Sequence, residues 1–217
     1  MKKLFLYATI GFSVLSLGSC TPTYVDPYPP GSGQNTYTFV DEFVDNRNGW
    51  NFSDPAWDAY GVIDQGTFSF NYLDPNGVAY YRSKDIRFNP DKDFSIQTRI
   101  GSDNNMGLLF GYDEASGAYG YSFTVSYDGY FALWDEGGNG GPADITALVA
   151  PTYSSAVRAN GDWNELSIEQ VGNNWVGYIN NNRVFSIRAP YIVKGSVGFV
   201  VMASTRGEAD YIQADFY

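Results

Sequence analysis

Tyr130 and Trp134, four residues apart in one alternating run, carry the clearest binding chemistry in the chain. A tyrosine or tryptophan presents a flat apolar face and a hydrogen-bonding edge, a combination that suits the C–H faces of sugar rings and wet protein surfaces alike. In the preceding run, Tyr119–Tyr127, period two puts Tyr121, Phe123 and Val125 on one face and Gly120, Ser122, Thr124 and Ser126 on the other. The run Tyr130–Asp135 divides in the same way: Phe131 and Leu133 point inward, while Tyr130, Ala132 and Trp134 join a shallow floor of small residues. The expected site is a stacking platform of Tyr130, Trp134 and, from the turn-rich Ser53–Asp58, Trp57, with Ser122, Thr124 and Asp135 fixing hydroxyls.

Acid/base chemistry has fewer candidates. Asp113-Glu114 and Asp135-Glu136 each close a predicted floor strand, and Asp113 could approach Asp135 across strands, although solvated strand ends account for both. No catalytic residue is assigned. The chain has no histidine, which removes the commonest zinc ligand and the usual base of a Ser or Cys triad. Asp91-Lys92-Asp93, Asp41 with Asp215, and Asp103-Asn104-Asn105 offer oxygen ligands for a structural calcium, with no diagnostic spacing. A formal net charge of −11 argues against nucleic acid and anionic lipid as partners.

The elements that must position these residues are strands. From Tyr37 onward, short runs rich in Tyr, Phe, Val and Ile alternate with Gly, Asn and Asp, and no stretch keeps a helical period for three turns. Thirteen strands are predicted: 37–43, 59–64, 67–73, 78–85, 94–101, 107–112, 119–127, 130–135, 164–171, 175–180, 183–188, 196–202 and 211–216. So many strands in one domain require two stacked sheets or a barrel. Asp128-Gly129 predicts a two-residue hairpin turn, and Asn173-Asn174 and Asn181-Asn182 sit where asparagine tolerates left-handed backbone. Gly137–Gly161 breaks the rhythm and reads as a long connection, of the kind that is either functional or mobile.

The hairpin Trp163-Asn164-Glu165-Leu166-Ser167-Ile168, then Trp175 to Ile179, Asn180 and Arg183-Val184-Phe185, resembles a recurrent pattern of concanavalin A-like and laminin-G-like jelly rolls. Asp41-Glu42-Phe43 with Asn48-Gly49-Trp50, Gly107 to Phe110, Gly195 to Phe199 and Tyr211 to Phe216 are similar to other framework elements of that family. The resemblance covers roughly 37–217 and implies an all-β, two-sheet antiparallel sandwich in which Trp50, Trp163 and Trp175 are packing residues. The fold hosts lectins, carbohydrate-binding modules, glycoside hydrolases and adhesion domains. Its catalytic signatures are not reproduced: Gly120-Tyr121 is followed by Ser122 where related enzymes carry Glu, and Glu208-Ala209-Asp210-Tyr211-Ile212-Gln213 has glutamine in place of the last acid of the glucanase motif. The expectation is a non-catalytic, lectin-like domain that binds a glycan or polysaccharide. The alternatives are a polysaccharide-active glycoside hydrolase of the same fold and a protein-interaction subunit with an envelope protein partner.

The N-terminal end resembles a bacterial lipoprotein precursor. Lys2 and Lys3 precede an apolar stretch from Leu4 to Leu17 too short for a stable membrane span, and Leu17-Gly18-Ser19-Cys20 looks like a lipobox ending at the chain's single cysteine. The resemblance implies a signal peptide over 1–19, acyl chains such as palmitate on Cys20, and contact with the membrane through that anchor only. Residues 20–36, with four prolines, read as a tether holding the domain at 37–217 clear of the lipid surface. Thr21 does not resemble an inner-membrane retention signal, so the expected location is the outer membrane.

Overall fold

A computed structural model describes residues 37–86, 93–112, 120–137, 145–190 and 195–217, all within one compact unit, Asn35–Tyr217. Cys20, the lipobox, the tether, Asp113, Glu114 and the glycines at 138, 140 and 141 lie outside the described residues.

Among the described residues there are fifteen strands and no helix: β1 (Tyr37–Asp41), β2 (Phe52–Asp54), β3 (Ala59–Asp64), β4 (Thr67–Tyr72), β5 (Ala79–Asp85), β6 (Phe94–Ser102), β7 (Asn105–Phe110), β8 (Tyr121–Ser126), β9 (Tyr130–Asp135), β10 (Thr146–Tyr153), β11 (Asn164–Val171), β12 (Asn174–Ile179), β13 (Asn182–Arg188), β14 (Ser196–Met202) and β15 (Thr205–Phe216). They form two antiparallel sheets stacked as a jelly-roll sandwich. One runs β13-β12-β11-β6-β15-β4-β3-β2 with β1 also on β15; the other runs β10-β9-β8-β7-β14-β5. The two strands missing from the sequence reading are β2, only three residues long, and β10. The segment Gly137–Gly161, read as one connection, therefore contains an eight-residue edge strand. Alternation could not reveal β10, because Pro151 interrupts it and two register shifts break its pairing with β9.

Aromatic rings knit the sheets together. Phe123 on β8 meets Phe185 on β13 edge-on at 5.1 Å, Tyr121 meets Trp175 at 4.8 Å, and Phe199 packs against Phe43, Trp50 and Phe68. Edge-to-face pairs of this kind contribute about 0.5–1.5 kcal/mol each beyond the area they bury. β9 thus lies opposite β13, while β5, whose Tyr80 stacks on Phe52, lies opposite β2. Trp50 and Trp175 are fully buried and Trp163 is half-buried under the Arg99 guanidinium, as packing residues.

The resembling motifs prove to be braces. Asp41 Oδ1 accepts the Phe43 N–H at 2.9 Å, and Oδ2 accepts Asn48 Nδ2 and Trp50 Nε1, each at 2.7 Å. Asp41 lies three rungs from Asp215, which is opposite Thr38 and accepts its hydroxyl, so the two do not form a cation pair. Asn164 and Asn180 clamp the chain before β11 to the β12–β13 hairpin through the carbonyls of Arg158, Asp162 and Ala156.

The turns differ from expectation by one residue. Asn180 and Asn181, at φ 48° and 64°, make the two-residue turn before β13, where Asn181-Asn182 was expected. Gly172 and Asn173 close β11 onto β12. Tyr127, Asp128 and Gly129 form a three-residue loop in place of the predicted two-residue one. The Gly129 N–H donates to the Ser126 carbonyl at 3.1 Å, and only Gly129, at φ 92°, takes the left-handed conformation.

Candidate functional site

β8 and β9 pair in the register that alternation demands. Phe123 is opposite Leu133 on the core side; Ser122 is opposite Trp134 and Thr124 opposite Ala132 on the outer side. β7 extends the same rungs with Leu109, Gly107 and Asn105 opposite Ser122, Thr124 and Ser126. A Cβ on Gly107 would stand 2.5 Å from the Phe123 carbonyl oxygen, so the floor is flat there by necessity.

At the turn end of this floor is a cleft of about 550 Å³, within the roughly 300–1,000 Å³ range of small-ligand sites. Thr124, Ser126, Tyr130 and Trp134 line it from the hairpin. Asp103 and Asn104 enter from the β6–β7 turn, Asn105 from the start of β7, Tyr127 and Asp128 from the hairpin loop, and Pro151 from β10. The Trp134 indole N–H donates to Thr124 Oγ1 at 3.2 Å, which fixes the ring over a buried threonine. Tyr130 is 41% exposed and meets the still more exposed Tyr153 of β10 edge-on at 5.8 Å. Ser126 Oγ donates to Asp128 Oδ1 and accepts the Tyr130 N–H, so the loop's carboxylate and hydroxyl are set by the hairpin itself.

Of the six residues expected to bind ligand, the structure brings three together here: Tyr130, Trp134 and Thr124. Ser122 is fully buried and donates to Glu136 Oε1, so it does not open onto the cleft. Asp135 sits opposite Tyr121, on the other side of the sheet from Trp134, and its Oδ1 accepts the Gly137 N–H at 3.0 Å. Continuing the alternation of Phe131 and Leu133 by one step places it there. The Tyr121 hydroxyl shows the same neighbourhood, pushed up to about 12 by burial first and then by the Asp135 charge. Trp57 is 54% exposed but belongs to the β2–β3 turn, at the opposite lateral edge of the sandwich from β9.

The outer-face carboxylate is Glu136 instead. It is buried, with Oε2 accepting the Tyr81 hydroxyl at 2.8 Å alongside the Ser122 bond, and Tyr81 stacks on Tyr112. Burial pushes its carboxyl above the ordinary glutamate range, against the two hydroxyls that favour the charged form; the Asp135 charge adds to the rise.

Sequence reasoning missed Tyr127, Tyr153, Asp103, Asn105 and Asp128 as cleft neighbours. Asp103-Asn104-Asn105 had been noted for its oxygens, but its place at the cleft depends on the β7–β8 register. Asp103 is held by Arg206, whose backbone N–H donates to Oδ1 at 2.7 Å and whose Nη1 lies 3.5 Å from Oδ2. Among the described residues, no three acidic or cysteine side chains gather to hold a metal ion. Glu208 and Asp210, of the near-glucanase motif, lie on β15 in the other sheet, with Asp210 in an ion pair with Arg99 at 3.0 Å.

No family model matches the chain, and no curated protein sequence matches it. Solved structures share its fold. The CBM2 module of the evolved Dit of Lactobacillus casei BL23 phage J-1 superposes with a TM-score of 0.55 at 9% identity, over 83% of this chain and 96% of that one. A prokaryotic β-1,3-1,4-glucanase (lichenase) from a mouse hindgut metagenome gives 0.55 at 11%, over 82% and 98%. Carbohydrate-binding module CBM66 from Bacillus subtilis gives 0.50 at 13%, over 67% and 85%. At these identities the likeness establishes a jelly-roll sandwich of the kind used by carbohydrate-binding modules and glycoside hydrolases.

Proposed function

We propose that this domain is a non-catalytic glycan-binding module that takes saccharides in the cleft at the turn end of β8 and β9, and that Cys20 anchors it by lipid to the outer membrane. The observation that carries the reading is the cleft itself, with Tyr130 and Trp134 on its wall and hydroxyl and amide groups between them. Sugar rings stack their C–H faces on the two aromatics, while Ser126, Asn105 and Asp128 take the hydroxyls. Thr124 contributes by holding the indole in place, so little side-chain freedom is lost when a ring docks. That solved structures of the same fold include carbohydrate-binding modules supports a saccharide as the class of ligand. Of the two carboxylates in the described lining, Asp103 is held by Arg206 and Asp128 through one oxygen by Ser126, and neither is given a catalytic role. Affinity at one such open site is about millimolar to micromolar, and many anchored copies on one surface raise it through avidity.

The test is a glycan array with the full chain, followed by titration of the best ligand against Trp134→Ala. The substitution is expected to weaken binding about tenfold or more, or roughly 1.4 kcal/mol. A wild-type protein that captures no glycan, or a variant that binds as tightly as wild type, would overturn the reading.

A further inference from the structure

The cleft has a chemical polarity of its own. Among its described lining residues there are two carboxylates, Asp103 and Asp128, and neither lysine nor arginine. The nearby guanidinium of Arg206 is drawn to Asp103, so it offers no free charge to a ligand. Asp128 has Oδ1 engaged by the Ser126 hydroxyl, while no contact is made to its Oδ2 among the described residues. Ionised carboxylates only accept hydrogen bonds. A ligand meeting Asp128 must therefore bring donors, and an anion would meet that carboxylate with no lysine or arginine in the described lining to offset it, the nearby Arg206 being engaged by Asp103.

Resting on the glycan-binding reading above, we infer that the cleft selects uncharged, hydroxyl-rich saccharides and refuses uronate and sulfated ones. Hydroxyl groups donate to Asp128 Oδ2 while their ring faces lie on Trp134 and Tyr130. A uronate carboxylate or a sulfate ester presents only acceptors to the same atom. The chain's net charge of −11 deepens the refusal at long range.

The experiment offers the full chain hexasaccharides of neutral glucan, mannan and xylan beside hexamers of galacturonate, guluronate and sulfated galactan. It is run at low and at about 1 M salt, where screening shortens charge interactions to about 3 Å. The expected result is binding confined to neutral sugars, with the refusal of anions easing as salt rises. Asp128→Asn keeps the turn's residue preference and removes one charge; it is expected to narrow the neutral-to-anionic gap about fivefold. Asp103→Asn combined with it narrows the gap further. Anionic hexamers that bind wild type as tightly as neutral ones overturn the selectivity and leave glycan binding standing. A gap unchanged in the double variant likewise removes the carboxylates as its cause. Failure of every saccharide to bind overturns the glycan-binding reading and this inference with it.

Discussion

The two ends of the β8–β9 hairpin share one outer face, one alternation and the same small polar side chains, but the cleft of about 550 Å³ opens at the turn end. Around Ser126, Tyr130 and Trp134 that face borders the opening between the hairpin loop, the β6–β7 turn and β10. Around Ser122 it is closed by Glu136 and Tyr81, with Tyr112 stacked behind. β7, β8 and β14 are buried almost throughout, on both faces. Period two assigns a residue to a face; whether that face is open is decided by what the next strands and turns lay over it.

The sharpest way to break the contrast is Ser122→Ala. It leaves a buried carboxyl with one hydrogen-bond donor removed, which costs about 1–3 kcal/mol, or a melting temperature lower by about 2–4 °C per kcal/mol. Glycan affinity, read by titration, is expected to stay within twofold. If Ser122→Ala weakens binding as strongly as Trp134→Ala while stability holds, the sealed end is part of the site and the division is wrong.

A smaller effect comes from pH. The Glu136 carboxyl titrates above its unfolded range because burial opposes its charge. Between the unfolded and native values the folded state therefore binds more protons than the unfolded chain. Unfolding free energy falls as pH rises through that window, by at most about 1.4 kcal/mol per unit for one proton, and levels off above the native value. Glu136→Gln removes the proton and with it this part of the slope. Chemical denaturation of both proteins across the acidic to neutral range should give a difference curve that favours the variant progressively as pH rises. A flat difference would mean that Glu136 is solvated, and so that this end of the floor is as open as the other.

What could be read from residues alone follows the same division. The core side of β8 and β9, the sandwich of two antiparallel sheets, and Tyr130, Thr124 and Trp134 as one surface all come from alternation, which is a local property. Asp135 obeys alternation too, and its misplacement came from grouping it with the floor against its own parity. Glu136 reads from the sequence only as a solvated strand end; its burial against Ser122 and Tyr81 depends on contacts with β5, which its position just past β9 does not reveal. Pro151 reaches the cleft, and Tyr153 packs on Tyr130 beside it, from an edge strand whose pattern is broken by proline and bulges. Asp103 and Asn105 needed the pairing of β7 with β8, which joins residues some twenty positions apart. Lateral order within a sheet is set by long-range pairing, and no spacing in the chain encodes it.

Trp57 gives the smallest effect and the cleanest control, because it was chosen for the same reason as Trp134 and lies elsewhere. Both are tryptophans in or beside polar turns. Trp134 is fixed by Thr124 on the central floor, whereas Trp57 is 54% exposed, with its backbone N–H donating to the Asp54 carbonyl at 3.2 Å within a hairpin turn. Truncating an exposed side chain away from packed features changes stability by about 0.5 kcal/mol or less. Trp57→Ala is therefore expected to match wild type in melting and, within twofold, in glycan titration. A long polysaccharide could in principle cross from one lateral edge to the other, so the comparison is made with both a short and a long ligand. A loss confined to the long one would extend the binding surface toward β2 and β3. A tenfold loss with the short one would move the platform to that edge, leaving the β8–β9 cleft without its saccharide.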